Sequence, residues 1–187
     1  MIITSHKVWR VGAGIDTDAL APGAYMKLEL KDIAQHCLES RYPGLAQSIS
    51  EGDILIAGPD FGIGSSREQA VGVLLELGIK AVIAPSFSGL YFRNAFNLGL
   101  LAVTCPDAER IEQGSLVQID TDKAVINVQA PAMKADATIS QPQQGSSGSV
   151  PAVATFSCQK IPGFLLDMVS AGGLLNQLEQ QCLAQRV

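Results

Sequence analysis

The sequence is poor in the residues that build metal centres and disulfide frameworks. It contains four cysteines and two histidines in 187 residues, and the cysteines lie far apart, with no CxxC pair among them. A self-contained zinc or iron–sulfur site needs more closely spaced ligands, so we expect no metal or cofactor site in this chain. We expect free thiols, some of them buried as small apolar groups, at Cys37, Cys105, Cys158 and Cys182.

Long hydrophobic runs and clusters of positive charge are also missing. No uninterrupted apolar stretch approaches the roughly 20 residues of a membrane-spanning helix, and the first residues, MIITSHKVWRVG, lack the apolar centre of a signal peptide. The 13 basic and 18 acidic residues give a net charge of −5, without the basic patch typical of nucleic-acid binding. We therefore expect a cytoplasmic protein that binds neither a membrane nor nucleic acid.

What the sequence does contain indicates one globular domain. Hydrophobic residues make up 47% of the chain and charged residues 17%, which excludes disorder throughout. A length of 187 residues fits a single domain, here residues 1–187. Residues 140–151 (SQPQQGSSGSVP) are low in complexity, and we expect them to form a mobile loop within that domain.

The hydrophobic pattern predicts an α/β fold. An apolar run at residues 53–58, a helical pattern at 66–78 and a second apolar run at 80–85 form a strand–helix–strand unit, which favours parallel pairing. Residues 115–120 and 124–129 flank a short polar turn and predict a β-hairpin. Further strands are predicted at 7–12 and 100–104, further helices at 30–40, 86–98, 163–170 and 174–185, a short helix near 107–113, and a loop at 12–23.

The segment GPDFGIGSSREQA, residues 58–70, lies between the predicted strand and helix and is typical of an anion site. Free backbone N–H groups at a helix start favour a carboxylate or phosphate, and Arg67 adds a planar, bidentate donor. The alternative is a capping box, in which Ser65 and Glu68 only start the helix. The segment matches neither a dinucleotide fingerprint nor a P-loop, which excludes those nucleotide sites.

Three ordered motifs then carry a resemblance to a known family. DTD at residues 16–18, the segment at 58–70 and APSFSGLYFRNAFNLGL at 84–100 closely resemble the small subunits of 3-isopropylmalate dehydratase, the swivelling domain of the aconitase superfamily. The resemblance implies a swivelling β/β/α domain and a hydro-lyase that isomerises a hydroxy acid by dehydration and rehydration, active only with a large subunit. It also implies that this partner, and not this chain, carries a 4Fe–4S cluster.

The resemblance also assigns roles to individual residues. It implies that Ser65 is the base that removes the proton beside a substrate carboxylate, and that Ser66 and Arg67 bind substrate carboxylate. Asp18 matches a family aspartate near the active site, with a helix cap or Asx turn as the alternative. Lys27 lies in the matching specificity loop, where it either contacts the substrate or extends into solvent.

Two departures from the family pattern bear on the substrate. Lys27 places a cation where an isopropyl group favours an apolar wall, and Gln69 replaces the more common histidine, as in some homoaconitase-like members. The favoured activity is that of 3-isopropylmalate dehydratase in leucine biosynthesis. The alternatives are a homoaconitase-like or methylmalate/citraconate hydratase with a di- or tricarboxylic substrate, and a non-catalytic carboxylate-binding module. The isolated chain is also a candidate for self-association.

Overall fold

The structure, a computed structural model, describes residues 1–4, 7–129 and 153–184. The predicted low-complexity loop at 140–151 lies outside these residues, as does His6. Within them the chain forms two four-stranded sheets with helices between and after their strands, which confirms the predicted α/β class. In the described part, no helix is long and apolar enough to cross a membrane, and the longest has 11 residues.

The first sheet is parallel and provides most of the buried strands. Its order is β2-β3-β4-β5, and the predicted parallel strand–helix–strand unit consists of β3, the helix α4 (Gln69–Glu76) and β4. Every residue of β3 and β4 is buried, which explains why these strands read as continuous runs of branched and small apolar residues. The strands are β2 (Val8–Arg10), β3 (Ile54–Ile56), β4 (Ala81–Ala84) and β5 (Leu101–Thr104).

The second sheet is antiparallel, with the order β1-β6-β7-β8. The predicted hairpin is confirmed as β6 and β7, and its turn is held by Asp120, whose Oδ1 accepts the backbone N–H groups of Asp122 and Lys123. Strands β1 and β8 were not predicted. The strands are β1 (Ile2–Thr4), β6 (Leu116–Asp120), β7 (Val125–Gln129) and β8 (Val153–Ser157).

The helices agree with the sequence pattern in their positions more than in their lengths. The helix predicted at 30–40 ends as an α-helix at Gln35, and the helix predicted from residue 66 begins at Gln69. Residues 17–20, predicted as loop, form a single helical turn. The helices are α1 (Thr17–Leu20), α2 (Leu30–Gln35), α3 (Leu45–Ser48), α4 (Gln69–Glu76), α5 (Gly89–Leu98), α6 (Gly163–Ala171) and α7 (Leu174–Ala184), with 3-10 turns at Gly23–Tyr25 and Ala108–Arg110.

Candidate functional site

Two loops meet at the carboxyl edge of the parallel sheet. The first follows β2 and contains α1, and the second follows β3 and leads into α4. Backbone hydrogen bonds join them in strand-like fashion, from the Gly62 N–H to the Ile15 carbonyl (2.7 Å) and from the Thr17 N–H to the Ile63 carbonyl (2.8 Å). Ligands bind at this edge in open α/β sheets, because the loops that follow parallel strands converge there.

Aromatic packing in the core holds the start of the second loop in place. Phe61 is fully buried, and its ring meets the ring of Tyr91 edge to face, with 5.1 Å between centroids. Gly62 has a φ of 77°, and a Cβ at this position would overlap the Tyr91 side chain. Only glycine satisfies both the left-handed backbone and this close approach. The exposed residues that follow in the loop therefore start from a defined position.

Ser65 is exposed at the end of this loop and bonded to a residue of the other loop. Its Oγ lies 2.9 Å from the Oγ1 of Thr17, and its backbone N–H donates to the same Thr17 oxygen across 3.0 Å. Thr17 is 2% exposed. A buried threonine thus holds the Ser65 hydroxyl in place, while the serine itself remains accessible to solvent.

Arg67 is held by the first loop through one of its three guanidinium nitrogens. Its Nη1 donates to the Asp18 Oδ1 (2.9 Å) and to the Ala21 carbonyl (2.7 Å). No hydrogen bond within the described residues uses its Nε or Nη2. These two nitrogens form the edge of a guanidinium that matches a carboxylate in bidentate fashion.

Asp18 is held in the charged state by its partners. The hydrogen bond from Arg67, together with one from the backbone N–H of Gly23 (3.0 Å), lowers the pKa of the Asp18 carboxyl from its ordinary value. The capping role considered for Asp18 belongs to Asp16, whose carboxylate accepts the Ala19 N–H at the start of α1 (2.6 Å). Asp18 therefore links Arg67 to the chain that follows α1.

Ser66 is exposed beside Ser65, and its backbone is fixed by α5. The side-chain amide of Asn94 donates to the Ser66 carbonyl across 3.0 Å, and Asn94 is 4% exposed. The backbone is thereby anchored between Ser65 and Arg67. The Ser66 hydroxyl makes no hydrogen bond within the described part of the chain.

Lys27 is exposed in the segment between the 3-10 turn at Gly23–Tyr25 and α2, and makes no ion pair among the described residues. This segment is anchored on its inner side, where the Tyr25 ring stacks on His36 at 3.6 Å between centroids. The Nδ1 of His36 in turn lies 2.7 Å from the carboxylate of Glu39. The structure brings Ser65, Ser66, Arg67 and Asp18 together and leaves the Lys27 side chain in solvent.

The capping box considered for the second loop is wrong. Helix α4 begins at Gln69, and no side chain caps its first turn. The hydroxyl of Ser65 is bonded to Thr17 instead. Ser65 and Ser66 are loop residues presented ahead of the helix.

The described residues do not fit a resident metal or cluster. Among them, no three histidine, cysteine, aspartate or glutamate side chains are grouped so that they could hold a metal ion. The four cysteines are free thiols, as predicted, and Cys37 and Cys105 are buried. Burial raises the pKa of the Cys37 thiol to about 12, which makes it a poor ligand and nucleophile at neutral pH.

The sequence did not reveal the importance of Thr17 and Asn94. Thr17 is an uncharged residue between two aspartates. Its contact with Ser65 joins positions 48 residues apart, so no local pattern indicates it. Asn94 lies within the third motif, and the structure shows its side-chain amide donating to the Ser66 carbonyl. In the sequence, only their places in the motifs at 16–18 and 84–100 could have indicated that Thr17 and Asn94 belong to the site.

Comparison with known proteins gives matches to a family model and to named relatives. Residues 34–108 match the family model described as Aconitase C-terminal domain. The 3-isopropylmalate dehydratase small subunit of Syntrophus aciditrophicus is 33% identical over 177 residues, 94% of this chain and 95% of that protein. The methanogen homoaconitase small subunit of Methanocaldococcus jannaschii is 34% identical over 185 residues, 98% of this chain and 96% of that protein.

The similarity extends to a solved structure. The crystal structure of 3-isopropylmalate dehydratase (leuD) from Methanocaldococcus jannaschii matches with a TM-score of 0.78 and 34% identity, over 100% of this chain and 98% of that one. The likeness therefore covers both sheets as well as the two loops that meet at the candidate site.

Proposed function

The chain belongs to the family of 3-isopropylmalate dehydratase small subunits, and from this membership and the geometry of its two loops we propose that it is the small subunit of a heteromeric hydro-lyase. The reaction is isomerisation of a hydroxy acid by dehydration and rehydration, with 3-isopropylmalate as the substrate. The α/β fold of aconitase type expected from the resemblance is confirmed by the structural match.

One observation carries the proposal. The two joined loops present an exposed serine hydroxyl at Ser65 and, two residues further, a guanidinium whose Nε–Nη2 edge is open. Elimination of water beside a carboxylate needs a base for the C–H proton and a cation that grips the carboxylate. This chain offers both groups on one loop.

We assign the proton transfer to Ser65. In the dehydration direction, a deprotonated Ser65 Oγ takes the proton from the carbon beside the carboxylate, and in the hydration direction Ser65 returns it. The electron pair of the broken C–H bond forms the new C=C bond. The hydroxyl leaves the neighbouring carbon with the electron pair of the C–O bond, as water once an acid that the large subunit would supply has protonated it. Arg67, two residues further along the same loop, supplies a cation to the site in which this charge develops.

We assign carboxylate binding to Arg67 and Ser66. The open edge of the Arg67 guanidinium accommodates two carboxylate oxygens while Nη1 stays bonded to Asp18 and Ala21. The Ser66 hydroxyl adds a donor to the same carboxylate. Asp18 acts by orienting Arg67, and its charge keeps the guanidinium in the geometry that the substrate needs.

The large subunit completes the site. The described residues do not fit a cluster, so we assign the 4Fe–4S cluster implied by the resemblance to the partner. We assign proton transfer and carboxylate binding to this chain. The isolated chain would then be inactive, whether or not it self-associates. We further propose that residues 1–187 form one domain and that the enzyme works in the cytoplasm.

A second substrate class has specific observations in its favour. A homoaconitase small subunit is as similar to this chain as the 3-isopropylmalate dehydratase subunits are. Lys27 is exposed and unpaired among the described residues, which leaves a cation free for an additional carboxylate. A homoaconitase-like tricarboxylate is therefore the alternative.

Reconstitution tests the proposal. The chain is co-expressed anaerobically with its cluster-bearing large subunit, and hydration of 2-isopropylmaleate, citraconate and homoaconitate is assayed with both chains and with each alone. We expect activity only with both chains, and the highest kcat/KM with 2-isopropylmaleate. If homoaconitate were preferred, the substrate assignment would be wrong and the reaction class would stand. Absence of any complex and of any activity would favour a carboxylate-binding module.

A further inference from the structure

The hydroxyl of Thr17 belongs to a buried residue, whereas Ser65 and Ser66 are exposed. Thr17 is the first residue of α1 and 2% exposed, yet its Oγ1 contacts Ser65 twice, at the backbone nitrogen (3.0 Å) and at the side-chain oxygen (2.9 Å). Its backbone is fully used elsewhere, since its N–H donates to Ile63 and its carbonyl accepts from Ala21. In the described part of the chain, Ser65 is the only partner of the Thr17 hydroxyl.

The two loops also approach each other closely at this point. Gly64, just before Ser65, has a φ of 105°, and a Cβ there would lie 3.0 Å from the Thr17 Oγ1. That separation is tighter than ordinary van der Waals contact. The absence of a side chain at Gly64 lets the Ser65 backbone reach the buried Thr17 hydroxyl. The contact therefore depends on Gly64 as well as on Thr17.

The hydrogen-bond inventory fixes the direction of the second contact during the reaction. A hydroxyl has one proton and two acceptor lone pairs, and the Ser65 N–H already occupies an acceptor position of Thr17. When Ser65 is ready to accept a proton from substrate, its own oxygen carries none. The only proton between the two oxygens then belongs to Thr17, so Thr17 must donate to Ser65.

We propose that Thr17 is a positioning residue that aims the Ser65 hydroxyl and stabilises its deprotonated form by donating a hydrogen bond to it. This inference rests on the proposed role of Ser65 as base. A hydrogen bond to an anionic oxygen is roughly twice as strong as one between neutral groups, so the contact strengthens when Ser65 loses its proton. The donor is buried, so water does not replace it.

The test uses the reconstituted two-subunit enzyme with Thr17→Val, which keeps the shape and removes the hydroxyl, and Thr17→Ser, which keeps the hydroxyl. We expect Thr17→Val to lower kcat about 100-fold, the size typical of one lost donor to a developing anion. KM should change less than about twofold, because carboxylate binding by Arg67 is untouched. In the dehydration direction, the limb of the kcat pH profile along which activity rises with pH should move to higher pH, because Ser65 deprotonates less readily without this donor. Thr17→Ser should restore both kcat and the profile.

Several outcomes would overturn the inference. They are an unchanged pH profile, a kcat loss that follows the melting temperature alone, or a Thr17→Ser variant no better than Thr17→Val. If Thr17→Val fails to assemble, Thr17→Ala removes the same hydroxyl with less bulk. Failure of both variants to fold would make the role structural and sink the inference. An inactive wild-type pair would instead contradict the proposed function.

Discussion

The guanidinium of Arg67 donates to the carboxylate of Asp18 across 2.9 Å, although 49 residues separate them in the sequence. The side chains are 27% and 66% exposed respectively, so solvent weakens the pair as a source of stability. Its effect is geometric: it holds one side of the guanidinium and leaves the other side open. The following predictions concern this arrangement and the loops that support it.

Replacing Asp18 with Asn should weaken substrate binding more than turnover. Arg67 would lose its charged partner and keep the Ala21 carbonyl, so KM should rise up to about fivefold, the equivalent of about 1 kcal/mol for an exposed pair. We expect kcat to change less than KM in steady-state kinetics of the reconstituted pair. The control is Asp107→Asn, which breaks another exposed ion pair, with Arg110. A kcat loss larger than the KM change would contradict the orienting role.

The same pair predicts a pH effect on stability. The pKa of Asp18 is lowered in the folded chain below its ordinary value of 3.8, so the unfolded state binds the proton more readily. The stabilisation is present above pH 3.8 and is lost as the pH falls through the lower, folded pKa. The stability difference between the wild type and Asp18→Asn should therefore be constant near neutral pH and decrease in acid. Denaturant unfolding at a series of pH values measures it, and a difference that grew in acid would contradict the assignment.

Ser65→Ala should remove most activity without affecting assembly. General base catalysis contributes about 10²–10⁴-fold, and we expect a loss of that size in kcat. The matched control is Ser48→Ala, since Ser48 is an exposed serine that bonds only the Gly44 carbonyl within the described residues. Activity and complex formation are measured on the same preparations. Full activity of Ser65→Ala in a correctly assembled pair would show that another group takes the proton.

Lys27→Val should shift substrate preference toward apolar substituents. The lysine is exposed in the segment anchored by Tyr25, so the change removes a charge without touching the core. We expect the ratio of kcat/KM for 2-isopropylmaleate to that for homoaconitate to rise. Lys31→Val, at an exposed position of α2, is the control for lost charge and should leave the ratio unchanged. Equal ratios for wild type and Lys27→Val would mean that the lysine only extends into solvent.

Two glycine substitutions separate backbone strain from steric overlap. Gly14 and Gly62 both have positive φ, of 61° and 77°, but a Cβ at Gly14 meets nothing within 4 Å whereas one at Gly62 overlaps Tyr91. Gly14→Ala should cost about 1–2 kcal/mol of unfolding free energy through strain alone. Gly62→Ala adds the overlap and should cost at least about 3 kcal/mol. Equal losses in denaturant unfolding would show that the second loop moves freely around Tyr91.

The central strands β3 and β4 of the parallel sheet were predictable because every residue in them is apolar and buried. The β6–β7 hairpin was also predictable, although its turn has no glycine, because Asp120 accepts two N–H groups of the turn and Ala124 takes a φ of 53°. Strand β8 was not predictable: it is recognised as a strand by its pairing with β7, and the residues before it are low in complexity. Pairing partners distant in sequence leave no local signal.

The sequence predicted which residues form the candidate site, but not which hydrogen bonds they make with each other. Ser65, Ser66 and Arg67 stand out as a motif, and the resemblance added Asp18. The capping box failed because the local pattern ignores a competing partner 48 residues away, the Thr17 hydroxyl. A sequence pattern identifies polar groups, whereas which group each of them bonds is decided by the packing of the two loops.

The backbone hydrogen bonds between the two loops also limit which insertions and deletions the coding sequence tolerates. The Gly62–Ile15 and Thr17–Ile63 bonds keep the loops in a fixed register beyond the ends of β2 and β3. One codon inserted between Ile15 and Thr17, or between Gly62 and Ser65, would displace the serine from the threonine even though every present residue is retained, and a deletion would displace it as well. Length in these two loops should therefore be as intolerant of variation as residue identity, and indel scanning of the coding sequence should find both loops closed to insertions.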